Sequence, residues 1–328
     1  MPKEDFQRSD SNRSGLNPGS NHISFEEPNA LAHAVRKIAI GREHAFDKKR
    51  SIAELIVQEL TSHGELYRTV DGCLSYLPNE EGRPLELGRP EFADLVMERS
   101  GLGQTDTFLR FALDRLKALA RGTVVRELRT LSHYDETTGT LAVSDAGSGM
   151  WVRERGGDWQ YARNGANGVV FRTDPEAEPW APEFPSNPDP AVFEHLRWFL
   201  QQVPIVPRQD LWAHDQRILL EMAMLQRFFP PLARTRLIPA FLGPPGSGKS
   251  TAQRLIGRLL VGPRFELSDL RADGYDGFVA AITNRVIYAI DNLDRPPRWL
   301  EDALARYATG IAFTKKRPYT LNEPVSHT

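Results

Sequence analysis

The sequence predicts an α/β fold: a parallel sheet flanked by helices, preceded by a smaller mixed helical and antiparallel-β domain. Three observations predict it. The glycine-rich pattern Gly243-Pro-Pro-Gly-Ser-Gly248-Lys249-Ser250-Thr251 lies between a short apolar run and an amphipathic helical stretch. A second apolar run, Val286-Ile-Tyr-Ala-Ile290, ends in Asp291. Upstream, residues 123–172 read as short strands separated by glycines and polar turns.

The chain has 328 residues, room for about two domains with a real core. Its 41 Lys and Arg against 43 Asp and Glu give a net charge of −2, so any polyanion contact must be local. A single cysteine, Cys73, excludes an intramolecular disulfide framework and a Cys-rich zinc module, and points to a reducing compartment. No apolar stretch approaches the ~20 residues of a membrane span, and the first residues lack the apolar centre of a secretory signal. The expectation is a cytoplasmic protein without a membrane partner.

The elements follow in order. Residues 1–28, rich in Ser, Asn, Gly and Pro, read as a disordered tail. A mixed α+β domain is expected over 29–173. Within it Ile52, Leu55, Ile56 and Leu60 share one helical face, and Lys48-Lys49-Arg50 before it reads as a solvated helix start. Asp71-Gly72 predicts a hairpin between residues 65–70 and 73–77. Helices are expected over 91–98 and 107–120, then a small antiparallel sheet drawn from 123–131, 140–144, 150–153, 159–162 and 169–172. Trp151, Trp159, Tyr161 and Phe171 in that sheet read as core aromatics. The prolines between 174 and 190 mark a linker, and 191–328 forms the second domain. It opens with helices over 192–203 and 209–229, the latter with an apolar stripe, Ile218, Leu219, Met222 and Leu225, that reads as core.

Residues 243–250 satisfy G-x-x-x-x-G-K-[ST], the phosphate-binding P-loop. Glycines let backbone N–H groups wrap phosphates while a helix N-terminus faces the negative charge. The flanks fit: Leu237 to Leu242 is a short apolar run, with Pro239 placed at its start, and Ala252, Leu255, Ile256, Leu259 and Leu260 make a helical stripe stopped by Gly262-Pro263. This makes Gly243, Pro245, Gly246, Ser247, Gly248, Lys249, Ser250 and Thr251 the candidate cradle, with Pro245 contributing no N–H. ATP is the expected ligand, with Lys249 bridging the β- and γ-phosphates. Magnesium is expected on the Ser250 hydroxyl and, through water, on Asp291, the acid ending the second apolar run. Lys249, Asp291 and Asn292 are the candidate catalytic residues. In many strand-inserted ATPases a glutamate follows this aspartate and orients the attacking water, but here Asn292 follows it, and an amide takes no proton.

Gly243 to Ser250, Ala289-Ile-Asp291-Asn-Leu293, Trp299-Leu-Glu-Asp-Ala-Leu304 and Tyr307-Ala-Thr309-Gly310-Ile311-Ala-Phe313, ending in Lys316-Arg-Pro-Tyr319-Thr320, resemble the ATPase module of phage and mobile-element primase-helicase proteins. The likeness extends to superfamily 3 helicases of the AAA+ group and covers about residues 237–320. It implies a P-loop NTPase sheet of the strand-inserted type and a helicase-like role in DNA replication. It also implies a homo-oligomer or a helicase or primase partner, with single-stranded DNA touching Lys315, Lys316, Arg317 and Tyr319. The family pattern continues into a polar sensor strand and an arginine finger, which this sequence does not display before Thr328, and the family's Thr-Gly-Gly is Thr309-Gly310-Ile311 here. The resemblance therefore implies a C-terminally incomplete ATPase with weak or partner-dependent turnover.

Two other readings stay open. Asn292 and the missing finger suit a non-hydrolysing nucleotide-dependent switch or assembly factor. A small P-loop kinase would use arginines after the loop, and Arg254, Arg258, Arg264 and Arg271 are available. The eight histidines lack metal-ligand spacing, and Ser148 lacks the strand-to-helix context of a hydrolase nucleophile.

Overall fold

A computed structural model describes residues 30–174, 177–182, 191–203, 205–207, 211–233, 235–293, 295–310, 313–316 and 324–327. It is a mixed α/β structure with helices and several small sheets. The tail 1–28 lies outside the described residues.

Helices α1 (Ala30–Ile40) and α2 (Ala45–Ser62) open the chain. Ile52, Ala53, Ile56 and Leu60 are buried along α2 as the periodicity predicts. Lys48-Lys49-Arg50 lies inside α2, where the Lys48 ammonium donates to the Ala39 carbonyl (2.9 Å) and Arg50 pairs with Glu54 in solvent. Strands β1 (Gly64–Thr69) and β2 (Leu74–Pro78) form the antiparallel hairpin around Gly72, whose φ of 80° suits the Asp-Gly turn. β3 (Leu85–Glu86) adds to β2. Helices α3 (Pro90–Ser100) and α4 (Thr107–Arg121) close over the hairpin, and the Asp106 carboxylate caps α4 by accepting from Phe108 N–H (2.9 Å). Leu31, Ile56, Tyr76, Phe92 and Leu116 meet in one core.

Residues 123–131 and 169–172 do not join the antiparallel sheet, contrary to the expectation from sequence. β4 (Val125–Arg126) pairs parallel with β1, and β5 (Leu128–Arg129) pairs parallel with β10 (Val170–Phe171). The antiparallel sheet is the meander β6 (Ser132–Asp135), β7 (Thr140–Ser144), β8 (Gly149–Arg153) and β9 (Trp159–Arg163). Met150 and Phe171 are core, whereas Trp151 and Trp159 are half-buried and Tyr161 is 54% exposed. Asn164, buried, fastens the end of β9: its amide donates to the Gly82 and Phe171 carbonyls, and its oxygen accepts from Phe171 N–H.

α5 (Ala191–Gln202) and α6 (Ala213–Leu225) follow. The face of α6 is a correction. Leu220, Ala223 and Met224 are buried, while Ile218, Leu219, Met222 and Leu225 are exposed, because α6 is apolar on two sides and its neighbours α5 and α7 (Lys249–Val261) cover the other one. Along α7, Ala252, Ile256 and Val261 are buried, with Leu255 and Leu259 left exposed. α8 (Leu270–Asn284) is broken at Gly274 (φ 63°) and packs on α9 (Arg298–Thr309) through Phe278 and Leu300. β11 (Phe313–Lys316) and β12 (Pro324–His327) pair antiparallel. No described helix is long and apolar enough to cross a membrane.

The parallel sheet expected around the glycine loop is the second correction. Residues 237–242 and 286–289 form no ladder, and Ile290 makes a single parallel bridge with Ser268. Pro239 has no N–H to give a ladder, Leu237 N–H is committed to the Gln226 side chain (2.7 Å), and Leu242 is 80% exposed.

The β6–β7 turn supplies a pH test. The Asp135 carboxylate accepts from Thr137 Oγ1 (2.6 Å), Thr137 N–H (2.9 Å) and Thr138 Oγ1 (3.0 Å). These bonds, those to Thr137 foremost, hold its pKa down from 3.8 to about 2. A depressed carboxylate stabilises the fold above its unfolded value, and that stabilisation is lost as pH falls from about 4 toward 2. NMR titration of Asp135 should therefore give a midpoint near 2, and Asp135→Asn should flatten the acid limb of stability over that window; a midpoint near 3.8 contradicts the turn geometry.

Candidate nucleotide site

The loop between residues 242 and 249 takes its shape from glycine. Gly246 (φ 77°) and Gly248 (φ 84°) occupy the left-handed region that side-chain-bearing residues rarely adopt, so both positions favour glycine. Gly248 is the N-cap of α7, so the loop feeds directly into a helix N-terminus. Ser247 N–H donates to the Pro244 carbonyl (3.3 Å), and Ala252 N–H to the Gly248 carbonyl (2.9 Å), starting the helix. The Lys249 ammonium folds back over the loop and donates to the carbonyls of Gly243 (2.9 Å) and Pro244 (2.8 Å).

α7 is seated by a close approach. A Cβ on Gly257 would collide with the ring of Phe265, a residue 1% exposed. Phe265 packs with Val261 and Val286, and Leu131 and Ala177 from the front half complete that cluster.

Asp291 is placed by hydrogen bonds rather than by a sheet. The buried Asp174 carboxylate accepts from Val286 N–H (2.9 Å) and holds one end of the run. Ser268 holds the other: its N–H donates to the Ala289 carbonyl (2.9 Å), and its carbonyl accepts from Asp291 N–H (3.1 Å). The Asp291 carboxylate then reaches α7, where Ser250 Oγ donates to Asp291 Oδ1 at 2.9 Å across 41 residues of sequence. The same oxygen accepts from Asn292 N–H (3.0 Å). Asn292 sits at φ 56°, a left-handed conformation asparagine tolerates better than most residues.

Gly243, Pro245, Gly246, Lys249, Ser250, Asp291 and Asn292 all line one cavity of about 690 Å³. Its wall is largely apolar, with Met224, Phe241, Ile256 and Tyr288, and polar groups stand both at the loop and at Arg227, Gln253, Arg285 and Tyr307. Ser247, Gly248 and Thr251 belong to the same loop and first helical turn without lining the cavity. Among the described residues no group of three or more His, Cys, Asp or Glu converges on a point. A metal here would take a hydroxyl and one carboxylate from the protein and the rest from phosphate and water, the habit of magnesium.

Of the residues weighed for nucleic acid, Lys315 and Lys316 lie in β11, paired with Val325 and Pro324 of β12, and Arg317 and Tyr319 lie outside the described residues. The arginines weighed for a kinase lid stand away from the cavity. Arg254 (3.3 Å) and Arg258 (3.0 Å) both pair with Glu266, and Arg264 pairs with Glu178 (2.9 Å). Only the backbone of Arg271, within α8, is described. Asp174 and Ser268 carry no signal of this role in the sequence. Nothing local in the sequence marks an aspartate as the acceptor for an N–H more than a hundred residues away.

Asp174→Ala should leave the buried Val286 N–H unpaired and destabilise the protein by about 1–3 kcal/mol in chemical denaturation, with Asp174→Asn costing less because its oxygen still accepts. Equal stability of all three proteins would contradict this placement of the 286–291 run.

Comparison with protein-family models, with curated proteins and with solved structures gives no match.

Proposed function

We propose that the chain binds a magnesium–nucleoside triphosphate, ATP foremost, in the loop 243–250, and that it is a P-loop protein of AAA+ type. On this reading it is a DNA-associated, helicase-like protein of phage or mobile-element origin, with weak or partner-dependent hydrolysis. The observation that carries the nucleotide reading is the 2.9 Å contact between Ser250 Oγ and Asp291 Oδ1. It joins the residue after the loop lysine to the acid that ends the second apolar run, the two groups such chemistry needs on one cation. The cradle also fits. Two left-handed glycines leave the loop free of side chains that would fill it, and the cavity is large enough for a nucleotide.

The roles follow from chemistry. Lys249 exchanges its two loop carbonyls for phosphate oxygens, a charge-assisted bond stronger than those it gives up. Ser250 would ligate the cation and Asp291 would hold it through water, and loop N–H groups from Gly246 to Ser250 would face the phosphates. The bound metal supplies neutralisation of phosphate charge. Asn292 can orient water but cannot take its proton.

That limitation supports a second reading, a nucleotide-dependent switch that binds without turning over. Steady-state turnover in the presence of single-stranded DNA separates the two: stimulation favours the motor, and binding alone favours the switch.

Lys249→Ala should weaken Mg–ATP binding by roughly ten- to a hundredfold in equilibrium titration with the thermal midpoint retained, and chelating the magnesium should weaken the native protein similarly. Unchanged affinity in folded Lys249→Ala would reject the assignment.

A further inference from the structure

The cavity beside the glycine loop continues into a second pocket of about 200 Å³, and Arg227, Ile282, Arg285, Val286 and Tyr307 line both. The front half supplies the far wall: Asp71 in the β1–β2 turn, Glu127, Arg129 and Arg172. Five arginines, Arg129, Arg172, Arg227, Arg236 and Arg285, therefore face two carboxylates, a net charge of +3 on the lining.

All five are half-buried. Arg129 pairs with Glu127 (2.6 Å); Arg172 donates to Asn284 Oδ1 (2.6 Å) and lies 3.9 Å from Asp71. Arg285 donates to Ser268 Oγ (3.3 Å). The other two gather on one ring: Arg227 donates to the Tyr307 hydroxyl (2.6 Å), and the Arg236 guanidinium lies 5.0 Å from the Tyr307 centroid. Among the described residues neither Arg227 nor Arg236 forms an ion pair with a carboxylate. The positive charges of Arg227 and Arg236 are thus left for a counter-ion to meet.

We propose that this pocket binds the phosphate or pyrophosphate group of a small molecule, at a site separate from the glycine loop and independent of the triphosphate reading. The guanidinium fork matches tetrahedral phosphate oxygens in pairs, and five forks around so small a space can neutralise a dianion or trianion. Walls from both halves of the chain line this half-open pocket, whose small volume suits a compact ligand.

The test is calorimetric titration of inorganic phosphate, and separately pyrophosphate, into the full chain, into Lys249→Ala and into the double variant Arg129→Gln with Arg236→Gln. Lys249→Ala should retain a site for at least one of the two anions, and the double variant should lose about tenfold or more at that site for each arginine removed. The binding anion should raise the thermal midpoint of the first two proteins and not that of the double variant. Arg236→Lys, which keeps the charge and loses the fork, should bind with intermediate affinity.

Loss of binding in Lys249→Ala alone would place the anion in the glycine loop and overturn the proposal. So would failure of both anions to bind, undiminished binding in the double variant, or binding of a single-stranded oligonucleotide by a protein that takes neither anion. ATP titrations of the same proteins keep the two sites apart: the nucleotide reading fails on ATP with Lys249→Ala, and this one fails on phosphate with the arginine variants.

Discussion

The position of Asp291 depends on three hydrogen bonds that take the place of a ladder. The run 286–291 is apolar, yet no neighbouring strand pairs along it. Its backbone is held by the buried Asp174 carboxylate at Val286 and by Ser268 at Ala289 and Asp291. A buried N–H without a partner costs as much as a lost hydrogen bond, so these contacts fix where the run can lie. Asp291 is carried to the end of that run and meets Ser250, and Ser250 is where it is because Gly257 lets α7 close on Phe265.

The site is therefore built across the chain rather than within one stretch of it. Asp174 belongs to the segment after the antiparallel meander, and Leu131 and Ala177 from the same region pack with Val261, Phe265 and Val286. Ser132 Oγ donates to the carbonyls of Arg227 (2.9 Å) and Phe228 (3.0 Å), and Tyr134 packs edge-on against Phe229. The front half thus braces the floor of the cavity that holds the glycine loop. Tyr307 stands between this cavity and the arginine pocket and lines both.

Much of this was legible locally. The Asp71-Gly72 hairpin, the buried face of α2, the helix α4 and the glycine loop running into a helix were readable because each is set by a few neighbouring residues with fixed backbone demands. The pairing of Ser250 with Asp291 was anticipated from chemistry, since a loop of this pattern needs an acid nearby. Other features were not legible. The stripe Ile218, Leu219, Met222 and Leu225 has helical spacing, but so does the opposite face with Leu220 and Met224, and periodicity alone cannot choose which one packs. The apolar runs 237–242 and 286–290 announced strands, but a strand exists only with a partner, and partners are a tertiary matter. The same holds for residues 125–129, which pair in parallel with strands distant in sequence.

The central claim is that Ser250 and Asp291 share a cation carried by a nucleotide held in the loop. A crystal structure of the full chain grown with manganese and a non-hydrolysable ATP analogue tests it most directly, because manganese is located by its anomalous signal. The account predicts a manganese peak between the Ser250 hydroxyl and the Asp291 carboxylate, with the phosphates against the N–H groups of Gly246 to Ser250. Bound nucleotide whose metal lies away from both side chains would contradict it.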